Sequence, residues 1–133
     1  MTKKNPDQPL YVLVTSGMGV GKTFNVIAIF QYLIHLYNNI FEYDPTQLIG
    51  IVTSYIGNPM LNVGGITLHS AFHLPFNKSE YLSLKGENLD MLTKHCEHLR
   101  VILINEASLI GSTLLYHIDK HLCEIKHTPL AYL

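Results

Sequence analysis

The string Ser16-Gly17-Met18-Gly19-Val20-Gly21-Lys22-Thr23 has residue types and spacing suited to holding a phosphate chain. Alternating glycines let a backbone curl until successive N–H groups converge on one anion. Lys22 follows as a point charge for the terminal phosphates, and the Thr23 hydroxyl is of the kind that ligates magnesium. A helix starting here would add the positive end of its dipole. The loop therefore predicts binding of ATP with Mg2+ through Ser16, Gly17, Gly19, Val20, Gly21, Lys22 and Thr23. Ser16 stands where such loops usually carry their first glycine, and a positive φ there would cost a serine about 1 kcal/mol or more. The competing reading is a glycine-rich turn that binds nothing. Three alternating glycines between a strand-like run and a helix-like run argue against it.

A second group lies at the end of another apolar run, Leu103-Ile104-Asn105-Glu106. Phosphate-loop enzymes place an acidic residue at such a strand end to support magnesium. Here that slot holds Asn105, which accepts a hydrogen bond from a metal-bound water but brings no charge. Glu106 is the expected general base, polarising the water that attacks the γ-phosphate. Lys22 and Glu106 are thus the expected catalytic residues, and Thr23 and Asn105 the expected metal contacts, the latter through water. The eight histidines raise a metal alternative. His117 and His121 share a helix face, but Cys123 is rotated away from them and no Cys-x-x-Cys pair exists. Surface histidines and small buried thiols are the expectation, with no structural zinc.

Three apolar runs have the composition of strands buried on both faces, 10–15, 48–53 and 100–105. Helical spacing recurs from Lys22 to about Asn38, with Val26, Ile29, Phe30, Leu33, Ile34 and Tyr37 on one face. It recurs over 89–99, with Leu89, Leu92, Cys96 and Leu99. It recurs again over 112–127, where Ser112 is the expected cap and Leu115, Ile118, Leu122 and Ile125 form a stripe. A short helix is predicted over 67–72, stopped by Pro75. Residues 76–88 read as loop. The order predicts an α/β fold with a parallel sheet flanked by helices. Residues 1–9 read as a tail, and 10–133 as one partial domain.

Composition sets outer limits. Hydrophobic residues make up 47% and charged residues 14%, too apolar for a disordered chain. A formal net charge of -1 excludes a polycation, so nucleic-acid binding must come from a local surface. No stretch reads as a signal peptide or a membrane span, so a soluble intracellular protein with reduced Cys96 and Cys123 is expected.

With both ends of the site in place, the middle becomes legible. Gly64-Gly65-Ile66-Thr67-Leu68-His69-Ser70-Ala71-Phe72, followed by Leu74-Pro75, resembles the Gly-Gly-x-Thr-x-His-Ser segment of the petite-integration-frequency (Pif-type) DNA helicases and of Helitron-like helicase domains. Leu103-Ile104-Asn105-Glu106-Ala107-Ser108-Leu109 resembles that family's Ile-Ile-Asp-Glu-x-Ser-Met motif. Val14-Thr15 and the glycine loop resemble its nucleotide-binding motif. The three motifs run in register from about Asn5 to Ile125.

The resemblance implies an incomplete RecA-like P-loop domain of an ATP-dependent, 5′-to-3′ DNA helicase. It implies roles in repair, recombination and telomere maintenance, and residence in the nucleus or the mitochondrion. Single-stranded DNA is the partner implied for a full-length member, and Thr53, Gly57, Thr67 and His69 fall in or beside the implied DNA-contacting segment. For His69 a packed, hydrogen-bonded ring is an equal alternative. Ser54-Tyr55-Ile56-Gly57-Asn58-Pro59-Met60 departs from the family's Ala-Pro-Thr-Gly-x-Ala-Ala, losing a threonine hydroxyl at Ile56. The family's later motifs, its γ-phosphate arginines and its second RecA-like domain are expected beyond Leu133. The strand that pairs with both 10–15 and 100–105 in the family is not among these residues, so the two either pair directly or leave a gap. Arg100 precedes its strand and is expected to be solvated rather than an arginine finger. The implied protein is a truncated or degenerate helicase copy. The alternative is a nucleotide-binding module without turnover, with a small P-loop kinase a weaker third.

Overall fold

A computed structural model describes residues 10–15, 17, 19–41, 44, 46–55, 66–76 and 80–128. In chain order the elements are α1 (Lys22–Phe41), β1 (Gly50–Ser54), β2 (Ile66–Thr67), α2 (Leu68–Ala71), α3 (Gly86–His95), β3 (Val101–Asn105), a 3-10 turn (Ala107–Leu109) and α4 (Ser112–Ile125). The strands form one three-stranded sheet in the order β2-β1-β3. Both pairings are parallel, with Gly50 opposite Val101, Ser54 opposite Asn105 and Ser54 opposite Thr67. The sheet is parallel and helix-flanked, as the alternating pattern requires.

The two faces of the sheet are unequally covered. Side chains alternate along a strand, and on one face Ile51 and Thr53 of β1 are buried while Ile102 and Ile104 of β3 pack on the core. That core is built by Leu68 and Phe72 around α2, Leu92 and Cys96 from α3, and Ile118, Leu122 and Ile125 from α4. Each such fully buried large side chain contributes about 1.5–3 kcal/mol. The expected stripe on α4 is shifted: Leu115 is 37% exposed, while His117 and His121 are buried. The expectation of surface histidines fails at these two positions. His121 lies with Nδ1 at 2.7 Å from Phe72 O and Nε2 at 2.9 Å from Leu82 O. An imidazole with a single N–H donates to one of these two oxygens at a time.

Among the described residues, the opposite face carries α1 alone. Val26, Phe30, Leu33, Ile34 and Tyr37 form the expected stripe, yet each is only half-buried, and Ile29 is exposed. α1 seats on β1 at Gly50. A Cβ built there would meet the Ile34 side chain and lie 2.8 and 2.9 Å from Phe30 ring carbons. The expectation that 48–53 is buried on both faces therefore holds on the core face only.

Residues 10–15 depart further from expectation. They are predicted as a strand but belong to no ladder, and Leu10, Val12 and Leu13 are 70, 72 and 78% exposed. An apolar run becomes a strand only when a neighbour supplies its hydrogen bonds. Among the described residues no strand lies on the far side of β3, and direct pairing of 10–15 with 100–105 is not seen. Two smaller boundaries also move. Gly111, not Ser112, is the cap residue of α4, and α3 begins at Gly86 within the predicted loop.

Two polar ties fix the helical layer. Lys126 Nζ donates to the Cys96 and Glu97 carbonyls just past α3, the first of which also accepts the Leu99 N–H. Glu124 on α4 accepts from the Ser83 hydroxyl and from the Leu84 N–H at 2.9 Å. Partial burial works against ionisation of Glu124. The bonds from Ser83 and Leu84, with the nearby Tyr81 hydroxyl and His121 ring, outweigh it and hold the carboxyl below its ordinary value.

Two outcomes follow from these contacts. Gly50→Val should destabilise the chain by about 1–3 kcal/mol, the usual range for overpacking, with Gly50→Ala intermediate. Denaturant midpoints measure this, and an undiminished midpoint for Gly50→Val would show that α1 is not seated there. Because the Glu124 carboxyl is depressed on folding, its stabilisation is present at neutral pH and lost on acidification through that lowered value. Glu124→Gln should therefore cost about 1 kcal/mol at neutral pH, for weakened hydrogen bonds. Thermal melts at stepped pH should show the difference shrinking in acid; a pH-independent difference would refute the linkage.

Candidate functional site

Two glycines of the loop take conformations that a residue with a side chain rarely adopts. Gly19 and Gly21 lie at φ +75° and +73°, in the left-handed region open to residues without a Cβ. A Cβ at Gly17, Gly19 or Gly21 would meet nothing within 4 Å, so the room around the loop is open. Lys22 is the first residue of α1, and the Asn25 N–H closes onto Gly21 O at 3.1 Å as the helix begins. No acidic side chain occupies the first turn of α1 to compete with an anion. Gly19, Val20, Gly21, Lys22 and Thr23 are all exposed. Ser16 lies outside the described residues.

The acidic strand end is shaped by the parallel ladder. Ser54, Thr67 and Asn105 stand side by side in register at the carboxyl ends of the three strands. This is the edge at which open α/β sheets take their ligands. Asn105 is half-buried and closes β3. Glu106 follows at φ 57° and ψ 43°, a left-handed conformation uncommon for a residue with a side chain. Its carbonyl accepts the Leu109 N–H at 3.0 Å, while its side chain makes no capping bond and is exposed. Such strain concentrates where a side chain must be aimed rather than packed.

The residues expected near DNA separate. Thr53 is fully buried, and its hydroxyl donates to Leu103 O at 3.2 Å across the sheet. The hydroxyl expected in or beside the DNA-contacting segment is thus engaged within the sheet. Thr67 caps α2, accepting the Ser70 N–H at 3.2 Å and donating to Ser70 Oγ at 3.0 Å. His69 stacks on Phe76 with ring centroids 4.4 Å apart and planes 10° apart, and tilts against Tyr55 at 5.8 Å. Its Nδ1 is buried without a hydrogen-bond partner, so the packed alternative holds without the hydrogen bond. Burial pushes the imidazole below its ordinary value, toward the neutral form. Gly57 lies outside the described residues. Arg100 is exposed at the amino end of β3, opposite the ligand edge.

Sequence reasoning missed β2, because two residues leave no periodicity to read. It also passed over Tyr55 and Phe76, whose aromatic character was the available signal. Cys96 is buried and Cys123 half-buried; burial raises both thiols above their ordinary value, so neither is an activated nucleophile. Among the described residues no group of three or more His, Cys, Asp or Glu is placed to hold a metal. No described helix is long and apolar enough to cross a membrane.

A parallel helix-flanked sheet, a glycine loop opening a helix and a polar strand end together define an incomplete RecA-like P-loop α/β domain. The family model for PIF1-like helicases matches residues 4–130. The chain therefore belongs to the PIF1-like helicase family, a family of DNA helicases that use a nucleotide. No curated protein and no solved structure matches the chain.

The strain at Glu106 is testable apart from any activity. Glu106→Gly removes a left-handed cost of about 1–2 kcal/mol against a glycine entropy cost of about 0.5–1 kcal/mol. It should therefore raise stability slightly, by up to about 1 kcal/mol. Glu106→Ala should not, because alanine keeps the Cβ. Equal melting temperatures for the two variants would show that the conformation carries no strain.

Proposed function

We propose that the chain is the nucleotide-binding part of an ATP-dependent DNA helicase. The observation that carries this is the pair of positive-φ glycines immediately ahead of Lys22 at the start of α1, in a chain of the PIF1-like family. Main-chain N–H groups of 17–23 receive the phosphates, and Lys22 neutralises the β- and γ-phosphate oxygens. Thr23 supplies a hydroxyl ligand to Mg2+, and Asn105 orients a metal-bound water. Glu106, aimed outward from the strand end, accepts the proton of the attacking water. The donor set suits a triphosphate, since it combines an open glycine loop, one ammonium and no competing carboxylate in the first turn.

The finer reading is 5′-to-3′ unwinding in repair, recombination and telomere maintenance, in the nucleus or mitochondrion, with 10–133 as the nucleotide-binding domain. A second reading, nucleotide binding without turnover, is favoured by Asn105. A neutral amide opposite a divalent cation weakens metal binding and slows hydrolysis.

Titration with a fluorescent ATP analogue tests the site. Lys22→Ala should weaken binding at least tenfold, and unchanged affinity would reject the assignment. Phosphate release with and without single-stranded DNA separates the two readings. Turnover stimulated by DNA and abolished by Lys22→Ala rejects the binding-only view. In Asn105→Asp, turnover that rises with Mg2+ identifies the strand end as limiting, and no gain shows that it is not.

A further inference from the structure

We propose that Phe76, backed by His69 and flanked by Tyr55, is a stacking platform for one base of single-stranded DNA. The inference rests on the DNA-helicase reading and adds Phe76, which lies outside the quoted motifs, together with a stacking role for its neighbours. Phe76 is 72% exposed and Tyr55 is 40% exposed. An exposed phenylalanine is unremarkable when its ring is loose, but this ring lies flat against His69. One aromatic face is thus occupied by protein while most of the side chain remains open to solvent.

The segment leading to Phe76 is held in place. Phe72 is fully buried and Leu74 is 4% exposed, anchoring the chain on both sides of His73. His73 takes the left-handed turn at φ 51°, and the Leu74 N–H closes onto His69 O at 2.9 Å. Pro75 then fixes one backbone torsion directly before Phe76. His69 is set by α2, which Thr67 caps. The ring pair is therefore preorganised, and binding does not have to pay for ordering it.

The chemistry fits a base better than a phosphate. The three rings bring no fixed charge, and burial favours the neutral form of His69. A neutral aromatic face stacks on any base, whereas a phosphate site would need cations or converging N–H groups. The location fits as well, since Tyr55 directly follows β1 and His69 lies on α2 directly after β2, at the carboxyl edge that carries Asn105 and Glu106.

Fluorescence anisotropy with labelled oligo-dT and with the same oligonucleotide made abasic tests this on the full chain. The wild type should bind oligo-dT several-fold to tenfold or more tightly than the abasic strand, the range for loss of a base–aromatic stack. Phe76→Ala should weaken oligo-dT binding by a similar factor and erase the distinction between the two strands. Phe76→Trp should restore both, and ATP-analogue affinity should stay at the wild-type value throughout. Equal binding of oligo-dT by Phe76→Ala and wild type overturns the platform. So does a wild type that binds ATP but not oligo-dT, with the nucleotide reading intact. Loss of ATP binding in the wild type would instead strike the proposed function itself.

Discussion

Parallel pairing of β1 with β3 is the constraint from which the site's geometry descends. Because the strands run the same way, their carboxyl ends fall on one edge, and the register sets Asn105 beside Ser54 and Ser54 beside Thr67. A one-residue slip of either strand would turn that strand's side chains to the other face, taking Ile51 and Thr53 out of the core if β1 slipped, or Ile102 and Ile104 if β3 did. Burial on that face and the order of polar groups along the edge are therefore one fact seen from two sides. The buried Thr53 hydroxyl bonded to Leu103 O ties the same pair of strands through a side chain.

The two faces of the sheet differ in how firmly they are held. The face toward α2, α3 and α4 has a core of buried side chains, polar ties at Glu124 and Lys126, and a buried histidine held between two main-chain oxygens. The face toward α1 is a single half-buried layer resting on the bare backbone at Gly50. The phosphate loop belongs to that lighter face. Its described residues are exposed, and 10–15 stand outside the sheet with their apolar side chains exposed. Large exposed apolar surface of this kind marks a place where further protein normally packs.

At the ligand edge, groups are aimed rather than buried. Glu106 takes a left-handed backbone and leaves its carboxylate in solvent. His69 leaves Nδ1 buried and unpaired while holding Phe76 flat against its ring. Both arrangements cost folding free energy. In the core, by contrast, the buried Thr53 hydroxyl is matched by Leu103 O.

Sequence alone determined the elements whose signals are local. Glycine spacing before Lys22, helical periodicity in α1, α3 and α4, and the apolar runs at β1 and β3 need only nearest neighbours along the chain to be read. The motif order carried the family and the parallel α/β class for the same reason. Tertiary structure decided what depends on partners distant in sequence. Residues 10–15 have strand composition but no described neighbour to complete a ladder. Thr53 reads as a polar contact yet faces the core, and His117 and His121 read as surface groups yet are buried, since burial is set by which helix covers which face. The stack of Tyr55, His69 and Phe76 joins residues from three segments, and no periodicity within any one of them could announce it.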